Sequence, residues 1–305
     1  MKRDLVSFAL WTAEELQTVL RISRELAADG SRVRQPLAHK TAAMIFECAS
    51  LRTRVSFEVG IAQLGGHPVF LDDTTIRMAA RESVHDIGSI VSQYTDLIIA
   101  RTVRHQTCVQ LAESATVPVI NALTDLLHPC QVLGDVYTLM ERQRFTPTTK
   151  IVYVGDGNTM ANSWLECAAR LPFHLVCSCP AGYEPHPRFL EEAQAAGVSR
   201  VEMIPDPVDA VRDADVVYTD VWPQATPRVE GGRRSLIFKP YQVNRTLLKH
   251  AKSDHLVMHR LPANRGEEIT GEVLDGSNSI AVEQARNRLA VQNGIMAALL
   301  DGSIR

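Results

Sequence analysis

Apolar and polar positions along the chain fall into blocks of two kinds. Short, nearly continuous apolar runs bounded by turn signals read as buried strands, and the longer mixed stretches between them read as helices. The first-half runs are "TAAMIFE" (41–47), "HPVFL" (67–71, after the stop Gly65-Gly66), "DLIIAR" (96–101) and "VPVINA" (117–122). Helices are predicted from near Arg52, from about Glu82, near 105–115, and from Pro129, whose fixed φ and missing donor suit a first helical position. The polar segment "ERQRFTPTTK" (141–150) interrupts the pattern, and a domain boundary is expected there.

The pattern then restarts with "KIVYVGD" (150–156), a helix from about Thr159, "FHLVCSC" (173–179), a helix near 186–196, "RVEMIP" (200–205), "ADVVYTDVW" (214–222) and "DHLVMHRLP" (254–262). A long helix rich in Ala, Leu and Arg is predicted at about 282–300. Alternation of strand and helix predicts an α/β fold: two domains, each a mostly parallel sheet flanked by helices. Ligands of such sheets bind at the carboxyl ends of the strands, so motifs just after strands carry the most weight.

Composition narrows the class without naming a chemistry. The 305 residues suffice for two domains, and 45% hydrophobic with 22% charged residues is ordinary for a globular protein. A net charge of −3 offers no basic field for nucleic acid. Acidic Asp4, Glu14 and Glu15 interrupt the start, against a signal peptide, and no run approaches the roughly 18 apolar residues of a membrane span. Six cysteines in so long a chain do not make a disulfide framework. Cys177 and Cys179 are expected as reduced core thiols of a cytoplasmic protein rather than metal or redox groups.

Four post-strand motifs could carry chemistry. "SLRTR" (50–54) sets Ser50, Arg52, Thr53 and Arg54 at a helix mouth. Positive charge there opposes the helix dipole, so an anion such as phosphate is expected; a capped helix with solvated arginines is the plain alternative. Arg101 ends "DLIIAR", where a charge can simply mark a chain exit. His128 and Gln131 share a first helical turn, where they could hold one small ligand or merely cap the helix. "HRLPANRGEEIT" (259–270) leaves a strand through a Pro-containing loop. "VGDGN" (154–158) suggests a dinucleotide turn, but Met160 occupies the place of the third glycine, which argues against that reading.

Taken in order, "SLRTRVSFEVG", "ART", "HPCQVLGD", "GDGNTMANS", "YTDVW", "PYQVN", "HRLPANRGEE" and "QARNR" resemble the ornithine/aspartate carbamoyltransferase family over nearly the whole chain, most closely its ornithine branch. The resemblance implies a carbamoyl-phosphate domain at 1–140, completed by a returning helix at about 285–305, and an acceptor domain at 150–284. It implies a cytoplasmic homotrimer with active sites at subunit interfaces and no cofactor or metal. Ser50, Leu51, Arg52 and Thr53 would hold the phosphate. Arg101 would bridge phosphate and carbonyl, His128 would polarise the carbonyl, and Gln131 would orient the carbamoyl NH₂. Leu261 would offer its backbone carbonyl, and Arg288 would contact carbamoyl phosphate. Arg77 and Arg81 would occupy a loop that reaches a neighbouring subunit's site. Arg52, Arg101, His128 and Gln131 are the expected catalytic set.

The same resemblance marks departures. Leu51 replaces a usual Thr (the N-acetylornithine branch has Met), Cys48 a Lys, and Arg77 a Gln. On the acceptor side, expected to comprise Asn158, Thr159, Asp220, Arg260 and Leu261, the Ser-Met-Gly loop after "DVW" is replaced by "PQATPR" (223–228), Thr159 replaces Asn and Arg260 replaces Cys. A cation at 260 would repel an alkylammonium. The expected acceptor is therefore an amine or amino acid other than unmodified ornithine, unless Arg260 pairs with Asp220 or turns to solvent. The alternatives are an ornithine carbamoyltransferase with an unusual loop, making citrulline, and a catalytically weak binding or regulatory member.

Overall fold

The computed structural model describes residues 2–28, 35–72, 74, 82–222 and 236–304. Arg77, Arg81 and "PQATPR" lie outside the described residues. The chain divides into two compact units, Met1–Tyr137 with Asn287–Arg305, and Thr138–Arg286.

The first unit opens with α1 (Ala13–Ala28), an amphipathic helix absent from the sequence reading, and continues through β1 (Thr41–Phe46), α2 (Leu51–Gln63), β2 (His67–Asp72), α3 (Val84–Tyr94), β3 (Leu97–Arg101), α4 (His105–Ser114), β4 (Val119–Leu123) and α5 (Pro129–Glu141). Its sheet runs β2-β1-β3-β4 with every pairing parallel. The second unit holds β5 (Lys150–Val154), α6 (Thr159–Ala168), β6 (His174–Ser178), α7 (Pro187–Ala196), β7 (Arg200–Met203), α8 (Pro207–Val211), β8 (Val216–Thr219), α9 (Arg245–Leu248), β9 (Leu256–His259) and α10 (Gly271–Leu274). Its sheet runs β7-β6-β5-β8-β9, again all parallel. The last helix, α11 (Ala281–Leu300), starts in the second unit and ends in the first.

The continuous apolar runs are explained by burial on both faces. Ala42 to Phe46 and Leu97 to Ala100 are all buried, as are Ile151 to Val154 and Val216 to Thr219. One core gathers Ala43, Ile45, Ile98, Ala100, Leu111 and Val119; the other gathers Val152, Val154, Val217, Val257 and Ile269. α5 carries the chain from one unit into the next without a break, and the division falls within it, between Tyr137 and Thr138.

Strand order identifies where each sheet opens. In the first unit β1 is followed by β2 on one side, and the chain then crosses to β3 on the other, so the switch point lies between β1 and β3. In the second it lies between β5, followed by β6, and β8. Each switch point leaves a crevice at the carboxyl ends of its two strands. Among the described residues no helix is long and apolar enough to cross a membrane.

Candidate functional site

The first switch point holds most of the motifs that the sequence singled out. β1 and β3 end side by side, with Phe46 in register with Arg101. Four residues after β1 stands Ser50, the N-cap of α2, in an extended conformation (φ −155°) and without a side-chain capping bond. The first turn of α2 contains no acidic residue. Its leading N–H groups thus lack the usual side-chain acceptor, and the plain reading of a capped helix does not hold.

The two arginines of this turn differ in their surroundings. Arg54 donates through Nε to Glu58 Oε1 at 2.9 Å, and its guanidinium lies 3.6 Å over the Phe70 ring. Arg52 is exposed, and no partner for it is found among the described residues. Leu51 is also exposed, whereas Thr53 is buried. The Thr53 hydroxyl oxygen accepts from Arg101 Nη1 at 3.4 Å and from Arg288 Nη2 at 2.9 Å. Two like charges converge on one uncharged atom, an arrangement that favours an anion beside them.

His128 and Gln131 stand at the start of α5, just past β4, and both are buried. Gln131 Nε2 donates to Asp135 Oδ1 at 2.8 Å, one helical turn on. That bond fixes the orientation of the amide and leaves Oε1 buried, with no partner among the described residues. Gly134 faces Arg288 on the same stretch, where a Cβ would lie 3.7 Å from Arg288 Cγ. The first unit thus brings together Ser50 to Thr53, Arg101, His128, Gln131 and Arg288. Asp135, which orients Gln131, escaped the sequence reading; its signal is the i, i+4 spacing from Gln131.

In the second unit "VGDGN" follows β5. Its glycines answer to close packing: a Cβ on Gly157 would collide with the backbone at Glu184 and Pro185, and one on Gly155 (φ +128°) would lie 3.1 Å from Trp222 Nε1. Asn158 caps α6 by accepting from Met160 N at 2.8 Å, and its Nδ2 donates to Asp220 Oδ2 at 3.1 Å. Asp220, one residue past β8, sits across the second switch point. Arg260 Nε donates to Asp220 Oδ1 at 2.7 Å. Burial opposes the Arg260 charge, but the attraction and hydrogen bond of Asp220 outweigh it and hold the guanidinium above its ordinary pKa. Of the alternatives for Arg260, the internal pair is the one formed. Thr159, half-buried, opens α6 beside this group.

The turn after β9 has its own buried support. Leu261, at φ +55°, donates its N–H to His259 Nδ1 at 2.9 Å. Nδ1 is therefore the acceptor nitrogen, and Nε2 carries the proton toward Glu268 Oε1 at 3.0 Å. Gln284 Oε1 accepts from His259 N at 3.0 Å. His259 and Glu268, both fully buried, were missed from the sequence, although the acids of "RGEE" were visible. The second unit thus joins Asn158, Asp220 and Arg260 and fixes Leu261.

Comparison with known proteins also separates two domains. Residues 3–141 match the family model "Aspartate/ornithine carbamoyltransferase, carbamoyl-P binding domain", and residues 148–299 match its "Asp/Orn binding domain". The ornithine carbamoyltransferase of Syntrophus aciditrophicus is 47% identical over 302 residues, covering 98% of this chain and 100% of that protein. That of Chlorobaculum tepidum is 43% identical, covering 99% and 91%. The solved structure of ornithine carbamoyltransferase from Pyrococcus furiosus superposes with a TM-score of 0.94 at 42% identity, covering 100% of this chain and 98% of that one. The chain belongs to the aspartate/ornithine carbamoyltransferase family, and it is a carbamoyltransferase.

Proposed function

We propose that this carbamoyltransferase moves the carbamoyl group of carbamoyl phosphate to the side-chain amine of ornithine, giving citrulline and phosphate. The observation that carries the donor half is Gln131. Its Nε2 is committed to Asp135, so the buried Oε1 is an acceptor with no partner among the described residues, suited to a carbamoyl NH₂. Arg101 and Arg288 meet at Thr53, and Arg52 precedes it in the same helical turn, giving positive charge suited to the phosphate. The neutral amine attacks the carbamoyl carbon, the bond to the phosphate oxygen breaks, and the amine loses a proton. Charge develops on the carbonyl oxygen and then on phosphate, where His128, Arg52 and Arg101 would stabilise it. Ser50 and Leu51 contribute backbone N–H groups, and Leu261 its carbonyl.

For the acceptor half, the relatives' names support ornithine better than the expectation of a different amine. The physical ground for a different amine was an unpaired cation at 260, and that cation is engaged by Asp220. Asn158, Thr159, Asp220 and Arg260 form the acceptor side of this reading. Assembly as a cytoplasmic homotrimer, with Arg77 and Arg81 reaching a neighbouring site, is part of the same proposal. The test is phosphate release and carbamoyl-product formation with ornithine, N-acetylornithine, aspartate and simple diamines. Ornithine turning over most efficiently is the expected outcome; efficient turnover of another amine with ornithine inert would overturn the acceptor assignment.

A further inference from the structure

The amino end of β9 carries a second concave site. A cavity of about 460 Å³ opens there, wholly within the second unit and at the opposite end of the strand from Arg260 and Leu261. Small-molecule pockets span about 300–1,000 Å³. The floor is apolar: Leu248 of α9, Val257 of β9 and Val273 of α10 are buried there as part of the second unit's core. The rim is cationic. Arg245 and Lys249, four residues apart and both exposed, line it together with His255. Glu272 is the acid of the lining, and it meets Arg245 Nη1 at 3.0 Å. No partner for Lys249 is found among the described residues, so the rim keeps a net positive charge. His255 Nδ1 meets the Lys252 carbonyl oxygen at 2.6 Å and carries its proton there, so Nε2 is the acceptor nitrogen and faces Asn278 Nδ2 at 3.4 Å. That bond uses one N–H of the Asn278 amide and leaves the other for a ligand oxygen.

We infer that this cavity is a binding site for a small organic anion, an apolar body that carries a carboxylate. The body lies on Leu248, Val257 and Val273, where covering apolar surface supplies the attraction. The carboxylate stays at the rim with Lys249, Arg245 and Asn278, so its charge is paired without being taken deep into the protein. Both halves are needed: a bare anion gains nothing from the floor, and a cation of the same shape is repelled by the rim. The site is separate from the one that performs carbamoyl transfer, and it does not depend on which amine accepts the carbamoyl group.

The experiment titrates three probes into the full chain and follows them by ligand-observed NMR. Naphthylacetate joins a bicyclic apolar body to a carboxylate, naphthylethylamine is its cationic counterpart, and acetate is the head alone. Naphthylacetate should bind with a Kd of about 0.1–1 mM, and the other two at least about tenfold more weakly. Lys249→Glu and Arg245→Glu each reverse an exposed rim charge and should weaken naphthylacetate about tenfold. Glu272→Gln removes the competing acid from Arg245 and should tighten it about threefold. Circular dichroism checks that each variant is folded, and a probe held in the carbamoyl-transfer site would respond to none of the three. Naphthylacetate bound equally by wild type and folded Lys249→Glu and Arg245→Glu would overturn the inference. So would naphthylethylamine or acetate binding as tightly as naphthylacetate, or no saturation by naphthylacetate below about 10 mM.

Discussion

Arg288 on the last helix donates through Nη2 to Thr53 Oγ1 at 2.9 Å, joining residues 235 positions apart at the first buried position of α2. Arg101 donates to the same oxygen. Thr53→Val keeps the shape and deletes the acceptor, so two guanidinium groups lose a bond in a buried setting. Hydrogen bonds to charged groups contribute about 1.5–3 kcal/mol each. Denaturant unfolding should show a loss of about that size for the pair, and saturation kinetics a KM for carbamoyl phosphate raised tenfold or more. Unchanged stability would mean that Thr53 does not hold these arginines.

Arg52 and Arg54 lie in one helical turn and should behave oppositely. Arg52 opposes the α2 dipole with no compensating partner among the described residues, so Arg52→Met should leave ligand-free stability equal or raise it by about 0.3–1 kcal/mol. Turnover should be abolished, and so should the thermal shift given by added carbamoyl phosphate. Arg54 is occupied by Glu58 and Phe70. Arg54→Met should cost under about 1 kcal/mol and change kcat/KM by less than about threefold. Calorimetric melting with and without carbamoyl phosphate separates the two variants.

This contrast shows where sequence reading stops. The positions of Ser50 and His128 after strands, and of Arg101 at a strand end, were legible because parallel strands are buried on both faces and leave unmistakable apolar runs; Asp220 was singled out only through the family resemblance. The i, i+4 spacing of Arg54 and Glu58 hints at which of two neighbouring arginines is engaged, but the stacking on Phe70, a residue on β2, follows from no spacing rule. The Arg260–Asp220 pair was foreseen only as one alternative, since 40 residues separate its members. The His259–Glu268 support of Leu261 was missed because its meaning depends on the path of the intervening loop. α1 went unread because no strand precedes it to set the alternation.

Gly157 was read as part of a weakened dinucleotide turn, and its neighbours give it a packing role instead. An added Cβ would meet backbone atoms of Glu184 and Pro185, which cannot rotate away as a side-chain end could. Gly157→Ala should therefore displace that loop or the turn that carries Asn158, costing about 1–3 kcal/mol. Because Asn158 holds Asp220, KM for ornithine should rise while KM for carbamoyl phosphate moves far less. Gly182→Ala, with open space around its Cβ but φ at +82°, serves as a comparison: its cost comes from backbone strain alone and should leave both KM values in place.

The thiols give a prediction with a defined sign. Cys48 is exposed and the other five cysteines are buried. Burial pushes the Cys130 thiol up to about 12, against a smaller opposing pull from Arg288, and pushes Cys177 up to about 12 as well. At pH 10 a thiol of pKa about 12 is only about 1% ionised, so native protein should react at one thiol with a disulfide reagent from pH 8 to 10, and at six after denaturation. Stability follows from the same shift. Below the unfolded thiol value near 9 both states keep the proton, and the contribution of these groups does not vary. Between about 9 and 12 the unfolded chain releases protons that the native state retains, so native stability falls as pH rises. Melting temperature measured from pH 8 to 11 should decline beyond about pH 9, and Cys130→Ala with Cys177→Ala should lessen that decline, whatever their own packing cost, the rest coming from Cys108, Cys179 and Tyr153, which burial shifts the same way.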